Sequence, residues 1–486
     1  MAHPAVCGHT RVEGLLFWCA TGGDWGNALS MFYKLLVFIK RNVKALLGYN
    51  SGVAGKPGSV RKGYRGAVYR SCSRCYHWLC GLGHTTLEEK VRVQSSEEAI
   101  RSIVNAGKRL DTCLPLGINV SGFAFGRFGL SHALRSTVRA IDAAGIDYCV
   151  NNMDMLARPP ADVNFGVLAS TNRYLINLLH FNPDSLLHLY SQRGREYFDG
   201  RYNIGYWFWE TPRLPNDWIE VLPCLHEVWT SSEFVRNIVK LHTGIPVVNV
   251  GSIIDVDESK ANLGRSFFGL PHSAFVFLFY FDYQGLIQRK NVLGLIEAFE
   301  RAFPTENDVR LVIKTLNSDD PEMAESRRAV EAASGDSRIA ILNDSYSRNE
   351  MLSLVKSSDC VVSLHRAEGF GYGLAEPMAM GKPVIATAYS GNMDFMHPGN
   401  SLLVRYQLET LSEPCRQFPA GTIWADPDLD HASELMREVY KDPAVARALG
   451  EQAERDIKRI YSREQIGLRI RQRIKAICAG EGLNAG

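Results

Sequence analysis

After residue 112 the chain alternates short apolar strands with amphipathic helices, and it does so in two successive series. The first opens with the strand "LPLGINVSGF" and the loop and helix of "AFGRFGLSHALRSTVRAIDAAG". It continues through the strands "IDYCVNN", "YLINLLHF" and "YNIGYWFWE", and ends in the strand, capped helix and strand of "EVWTSSEFVRNIVKLHTGIPVVNVGSII". The second starts near residue 273 with "AFVFLFYFD" and runs through the helix "NVLGLIEAFERAF", the strands "VRLVIKTL" and "RIAILND", and the helix "RNEMLSLVKSS". Strands that alternate with helices make a parallel sheet with helices packed on its faces. Two such series predict two Rossmann-like α/β domains facing each other across a cleft, with ligands at the carboxyl ends of the strands. A tail, 431–477, reads as two or three further helices.

The segment "HRAEGFGYGLAEPMAMGKPVIAT", 365–387, carries the chemistry. "DCVVSLH" before it reads as a buried strand, "LAEPMAMG" as a short helix stopped by Gly381, and "KPVIATA" as the next strand. Glu368 and Glu376 flank Gly369, Gly371 and Gly373 in the connecting loop. Glycines let backbone approach a ligand closely, and the helix start offers free N–H groups that suit a phosphate. Two carboxylates would repel a phosphate, so they suit hydroxyls, and both are expected to line a solvated cleft. A nucleotide sugar has both parts. The plainer alternative is that Glu376 favours the helix dipole and Glu368 caps the loop.

The stretch 273–410 resembles the C-terminal domain of family 4 retaining glycosyltransferases, with "AEGFGYGLAEPMAMGKPVIATAYSGNMDF" matching that family's E-x7-E signature. "GINVSGFAFGRFGLSHALR" and "INLLHFNPD…YNIGYWFWETP" are similar to N-terminal domains of a bacterial subset. The resemblance implies the GT-B fold and a metal-independent transfer from a nucleotide-diphosphate sugar to a hydroxyl of a glycan or lipid-linked acceptor, as in polysaccharide biosynthesis. It places Glu368 beside the donor sugar and Glu376 on the ribose. It puts the Phe370 and Gly371 amides near the diphosphate, and makes Arg289 and Lys290 the basic pair on the leaving group. Gly126 and Gly129 would form a loop closing over the same phosphate, with Arg127 inside it. Two departures stand out. Gly285 occupies the place of a usual arginine, and no histidine follows "YNIGYWFWE", which leaves His180 and Glu210 as acceptor-side candidates. Arg289 and Lys290 also fit a surface basic pair opening a helix. The activity alternatives are a nucleotide-sugar epimerase of the same fold and a non-catalytic nucleotide- or sugar-binding protein.

The expected organisation is an N-terminal basic extension, 1–110, an acceptor-side domain, 111–254, a nucleotide-sugar domain, 255–455, and a helix, 456–486, returning toward the first domain. Within the extension no acid occurs from Trp25 to Leu87, and "NALSMFYKLLVFIKRNVKALL" reads as a helix with Lys34, Lys40, Arg41 and Lys44 on one side. Such a helix suits an anionic membrane surface or the flank of a neighbouring domain. "CSRCYHWLCGLGH" spaces Cys72, Cys75, Cys80 and His84 like a zinc knuckle but lacks a supporting pattern, and Asp255 and Asp257 have D-x-D spacing at the expected hinge. No metal or other cofactor is assigned to either, since the GT-B fold does not need one. The net charge of +2 gives no argument for nucleic acid. Eleven scattered cysteines, no bilayer-long apolar run and no signal-peptide pattern lead to a cytoplasmic expectation, peripheral to the inner face of the plasma membrane if the basic helix binds lipid.

Overall fold

The computed structural model describes residues 85–107, 109–126, 128–153, 168–169 and 171–482. Contacts divide the chain into a unit of residues 1–88 and a unit of residues 89–486, and the second is the one described below. The basic helix, Cys72, Cys75, Cys80, His84 and Arg127 lie outside the described residues.

The first lobe is a parallel sheet of six strands: β1 (Ile118–Gly122), β2 (Tyr148–Asn152), β3 (Ile176–Leu179), β4 (Tyr202–Trp207), β5 (Glu227–Thr230) and β6 (Val247–Asn249), in the order β2-β1-β3-β4-β5-β6. Every residue of β1, β3, β4 and β5 is buried, the pattern of strands covered on both faces. Helices α1 (Thr85–Gly107), α2 (Gly129–Ala143), α3 (Leu186–Arg193), α4 (Asn216–Glu220) and α5 (Glu233–Lys240) accompany it. The lobe starts before residue 111, because Ile103 and Ala106 of α1 are buried and Cys224 Sγ donates to the Ile100 carbonyl.

The second lobe holds β7 (Phe275–Asp282), β8 (Val309–Leu316), β9 (Ile339–Leu342), β10 (Cys360–Ser363), β11 (Val384–Thr387) and β12 (Leu402–Val404), in the order β12-β11-β10-β7-β8-β9. Its helices are α6 (Ile287–Lys290), α7 (Val292–Ala302), α8 (Ala324–Ala333), α9 (Arg348–Ser357), α10 (Tyr372–Ala379) and α11 (Leu429–Lys441). From β7 the order runs outward to β9, then returns to β10 on the other side. The gap between β7 and β10 is therefore a switch point, where strand ends open into a crevice. A separate ribbon, β13 (Tyr406–Thr410) with β14 (Ile423–Pro427), is tied to the strand end before Glu368. Arg366 bridges Glu409 at 2.8 Å and Asp426 at 2.6 Å.

Two final helices, α12 (Pro443–Tyr461) and α13 (Arg463–Gly480), carry the chain back to the first lobe. Gly467 permits the close approach, since a Cβ there would lie 2.9 Å from the Ala140 carbonyl of α2. Arg473 pairs with both oxygens of Glu227, at 2.7 and 2.6 Å, and that carboxylate is fully buried with Tyr202 and Trp229 donating to it. Where the chain passes between lobes its two crossings touch, with the Ile254 N–H donating to the Tyr461 carbonyl at 3.0 Å. Gly251 beside them has φ +76°, and a Cβ there would lie 2.9 Å from Arg469 and Ile466. Among the described residues no helix is long and apolar enough to cross a membrane.

Candidate active site at the crevice between the lobes

The chain leaves β7 through an unusual backbone. Leu286 (φ 69°) and Asn291 (φ 53°) bracket the single turn of α6, both in the region that side chains rarely adopt. The pair Arg289–Lys290 thus ends a turn rather than opening a helix, and it is folded inward rather than lying on the surface: Arg289 is 5% exposed. Its guanidinium donates to the Ala367 carbonyl at 2.9 Å, and the Arg289 carbonyl accepts from the Arg366 N–H at 2.8 Å. These bonds hold the basic pair against the loop after β10.

Lys290 contacts the Glu368 carboxylate directly. Arg289 lies 3.5 Å from the other Glu368 oxygen and 3.7 Å from Glu210, so four charges form one chain: Glu210, Arg289, Glu368, Lys290. Burial alone would push the Glu368 carboxyl up, but Lys290 and Arg289 overcome it and hold it at about 2. Burial draws Lys290 down, opposed by Glu368. The structure therefore brings together four residues from three separate stretches of sequence. It also corrects the solvated picture, since the Glu368 and Glu376 side chains are only 15% and 12% exposed.

The loop between them is shaped by its backbone. Gly371 has φ +99° and precedes α10, and a Cβ on Gly373 would lie 3.4 Å from the Tyr280 ring. Phe370 buries its ring against Phe395, Tyr372 and Tyr461, and its amide nitrogen lies against Gly391, where a Cβ would come within 2.8 Å of it. Tyr280, Lys290, Ser363, Glu368, Gly371 and Gly373 line a pocket of about 40 Å³ at the switch point. Gly391 packs its Cα beneath this loop, where a Cβ would fall 2.2 Å from the Gly369 carbonyl. That carbonyl accepts from Ser232 Oγ of the first lobe at 2.6 Å.

Glu376 is clamped. Arg348, the first residue of α9, binds both its oxygens at 2.8 and 2.6 Å, and His132 of α2 lies 3.4 Å away from across the lobe boundary. Burial would raise the Glu376 carboxyl, but Arg348 wins and lowers it. Burial lowers His132 to about 4, so it faces Glu376 as a neutral imidazole at neutral pH. Gly126 and Gly129 belong to the loop that starts α2. A Cβ on Gly126 would lie 2.1 Å from Ser131 Oγ, whereas one on Gly129 meets nothing.

His180 does not line the cleft. It is fully buried, stacked 4.4 Å from Tyr206 and bonded through Nε2 to Thr137 at 3.1 Å, and burial pushes it down to about 3. Asp255 is engaged by Arg463 and Asp257 caps the turn at Ser259, so neither is a free ligand. Among the described residues no group of three or more His, Cys, Asp or Glu could hold a metal. Sequence reasoning missed Arg348, His132 and Ser232. Each comes from an element remote in sequence, and no local pattern marks it.

Two six-stranded parallel sheets, a switch-point crevice and a tail returning to the first lobe make this a GT-B fold. Residues 276–456 match the model of the family "Glycosyl transferases group 1". The match spans β7 to α12 and includes Arg289, Lys290, Glu368 and Glu376. Among solved structures, the chain is similar to sucrose-phosphate synthase (tll1590) from Thermosynechococcus elongatus, with a TM-score of 0.55 at 15% identity over 75% of this chain and 100% of that one. It is also similar to Anabaena Alr3699/HepE in complex with UDP and glucose, with a TM-score of 0.55 at 14% identity over 74% and 100%. A glycosyltransferase from Rickettsia africae ESF-5 has a TM-score of 0.54 at 14% identity over 74% and 98%. No curated protein sequence matches the chain. The matched segment carries the basic pair and the glycine loop, and the structural likeness extends the fold to the first lobe.

The low Glu368 pKa fixes a pH test. A depressed carboxylate contributes stability that is fully present above its unfolded value of 4.5 and is lost as pH falls toward about 2. The melting-temperature difference between wild type and Glu368→Gln is expected to stay level from about pH 8 to about pH 5 and to shrink below that. A gap that instead changes across the neutral range would mean the carboxylate is not held by its cations.

Proposed function

We propose that the protein is a retaining, metal-independent glycosyltransferase that moves a sugar from a nucleotide-diphosphate sugar to a hydroxyl of a glycan or lipid-linked glycan. The observation that carries this reading is the Lys290–Glu368 contact at the switch point, beside the Gly371 loop and the start of α10. A diphosphate at that point would meet backbone amides, the helix dipole and the Lys290 ammonium. Negative charge grows on the leaving diphosphate as the glycosidic bond breaks, and fixed cations stabilise that charge more than they stabilise the bound donor.

Retention by a covalent intermediate would need a carboxylate free to attack. Glu368 is tied to two cations and Glu210 faces Arg289, which weakens both as nucleophiles. Attack by the acceptor hydroxyl on the face the diphosphate leaves, with the departing phosphate taking its proton, fits the site better. The pocket of about 40 Å³ suits a phosphate-sized group.

Incubating the protein with nucleotide sugars labelled in the sugar tests this. Transfer to added glycans, or slow release of the labelled sugar as its retained anomer, is expected in the presence of EDTA. Product of inverted configuration, or activity that depends on Mn²⁺, would reject the retaining or the metal-independent part.

A further inference from the structure

A buried cation on one side of the crevice has no task in the reading above. Lys314 lies on β8 in register with Tyr280 of β7 and Leu342 of β9, and it is 3% exposed. Its ammonium donates to the Thr315 carbonyl and sits 4.7 Å from the centre of the Tyr346 ring. Among the described residues no carboxylate lies within ion-pair distance of it, and the opposite charge that acts on it is the exposed Asp344 in the loop after β9. An ammonium has three hydrogens and no lone pair, so two hydrogens are left without an acceptor in a place where charge is unfavourable unless satisfied.

The strand order says what such a cation faces. Glu368, Arg289 and Lys290 gather at the gap between β10 and β7. The other side of that gap leads through Tyr280 to β8 and β9. The Tyr280 hydroxyl is buried there without a partner, and its ring lies under Gly373. The Arg348–Glu376 pair follows, and Tyr346 precedes Arg348 by two positions. A donor with its diphosphate at Lys290 and its ribose toward Glu376 would send its base toward Lys314.

Resting on that donor reading, we propose that Lys314 recognises the nucleobase and that the donor carries a keto base: uracil, thymine or guanine. The carbonyl at position 4 of uracil and thymine, or at position 6 of guanine, accepts a hydrogen bond. Cytosine and adenine present an amino group on that edge, donor against donor. Tyr346, half-buried in the loop between β9 and α9 and packed on Phe268, carries the Lys314 ammonium over its ring and so fixes its position at that strand end.

The test is calorimetric titration of UDP, GDP, CDP and ADP, which differ in the base while sharing the diphosphate. UDP or GDP is expected to bind roughly tenfold or more tighter than both CDP and ADP, the scale of an exchanged hydrogen bond in a site built for it. In Lys314→Met, a swap of similar volume that removes the charge, the preference should fall to within about threefold. CDP or ADP matching the better keto nucleotide, or a preference that survives in Lys314→Met, overturns the assignment while leaving the diphosphate site intact. Binding of none of the four removes the donor reading itself. Should Lys314→Met fail to fold, the wild-type ranking alone decides.

Discussion

Lys290→Ala is expected to lower kcat by roughly 10²–10³-fold, the usual effect of removing one preorganised group from developing charge. The substituted chain should still fold, because Glu368 keeps Arg289 at 3.5 Å and Arg289 keeps its backbone anchors. On the proposed reading the loss lies in kcat more than in donor KM, since the ammonium would interact most strongly with the diphosphate once the glycosidic bond has begun to break. Lys290→Arg should recover little, because a planar guanidinium cannot take the place of a compact ammonium in contact with Glu368. Steady-state rates with a labelled donor provide the measurement. Turnover within threefold of wild type would mean that the leaving group is stabilised elsewhere.

The second large effect concerns stability. Arg473→Met strands the fully buried Glu227 carboxylate with only Tyr202 and Trp229 as donors, and breaking one side of a buried pair costs on the order of 3–5 kcal/mol. Because α13 lies against α2, the loss should appear as release of the C-terminal helix before the sheets unfold. Urea titration followed by circular dichroism, with limited proteolysis near residue 463, reads both. Adding Glu227→Gln to Arg473→Met should restore part of the loss by removing the stranded charge. An unfolding midpoint unchanged in Arg473→Met would show that the pair adds nothing net.

Periodicity makes both sheets legible, since buried parallel strands such as "FVFLFYFD" and "VRLVIKTL" are nearly continuous apolar runs. The glycine loop and its two glutamates are legible for a different reason: loop, helix and strand lie within one local stretch. Arg289 and Lys290 stand out in the sequence as a basic pair, but of the two positive-φ residues that turn them inward only Asn291 is of a type that favours that backbone, and Leu286 carries no sequence signal. His180 is ambiguous because a polar residue at a strand end points either to the crevice or to the core. Here the Tyr206 ring and Thr137 draw it into the core. Arg348 and His132 are illegible as partners of Glu376, because only the chain's topology brings them together. Arg348 arrives on α9 of the same lobe, and His132 arrives on α2 from across the lobe boundary.

The paired crossings at Ile254 and Tyr461 have a mechanical consequence. One strand joining two bodies leaves them free to swing in any direction, whereas two joined side by side act as the pin of a door. Opening is then confined largely to rotation about the line through the crossings. Any contact between the lobes then opens in proportion to its distance from that line. On the proposed reading, entry of a donor and release of a nucleotide are the same swing run in opposite directions, and Gly251, where a side chain would press on Arg469 and Ile466, sits where the pin would jam.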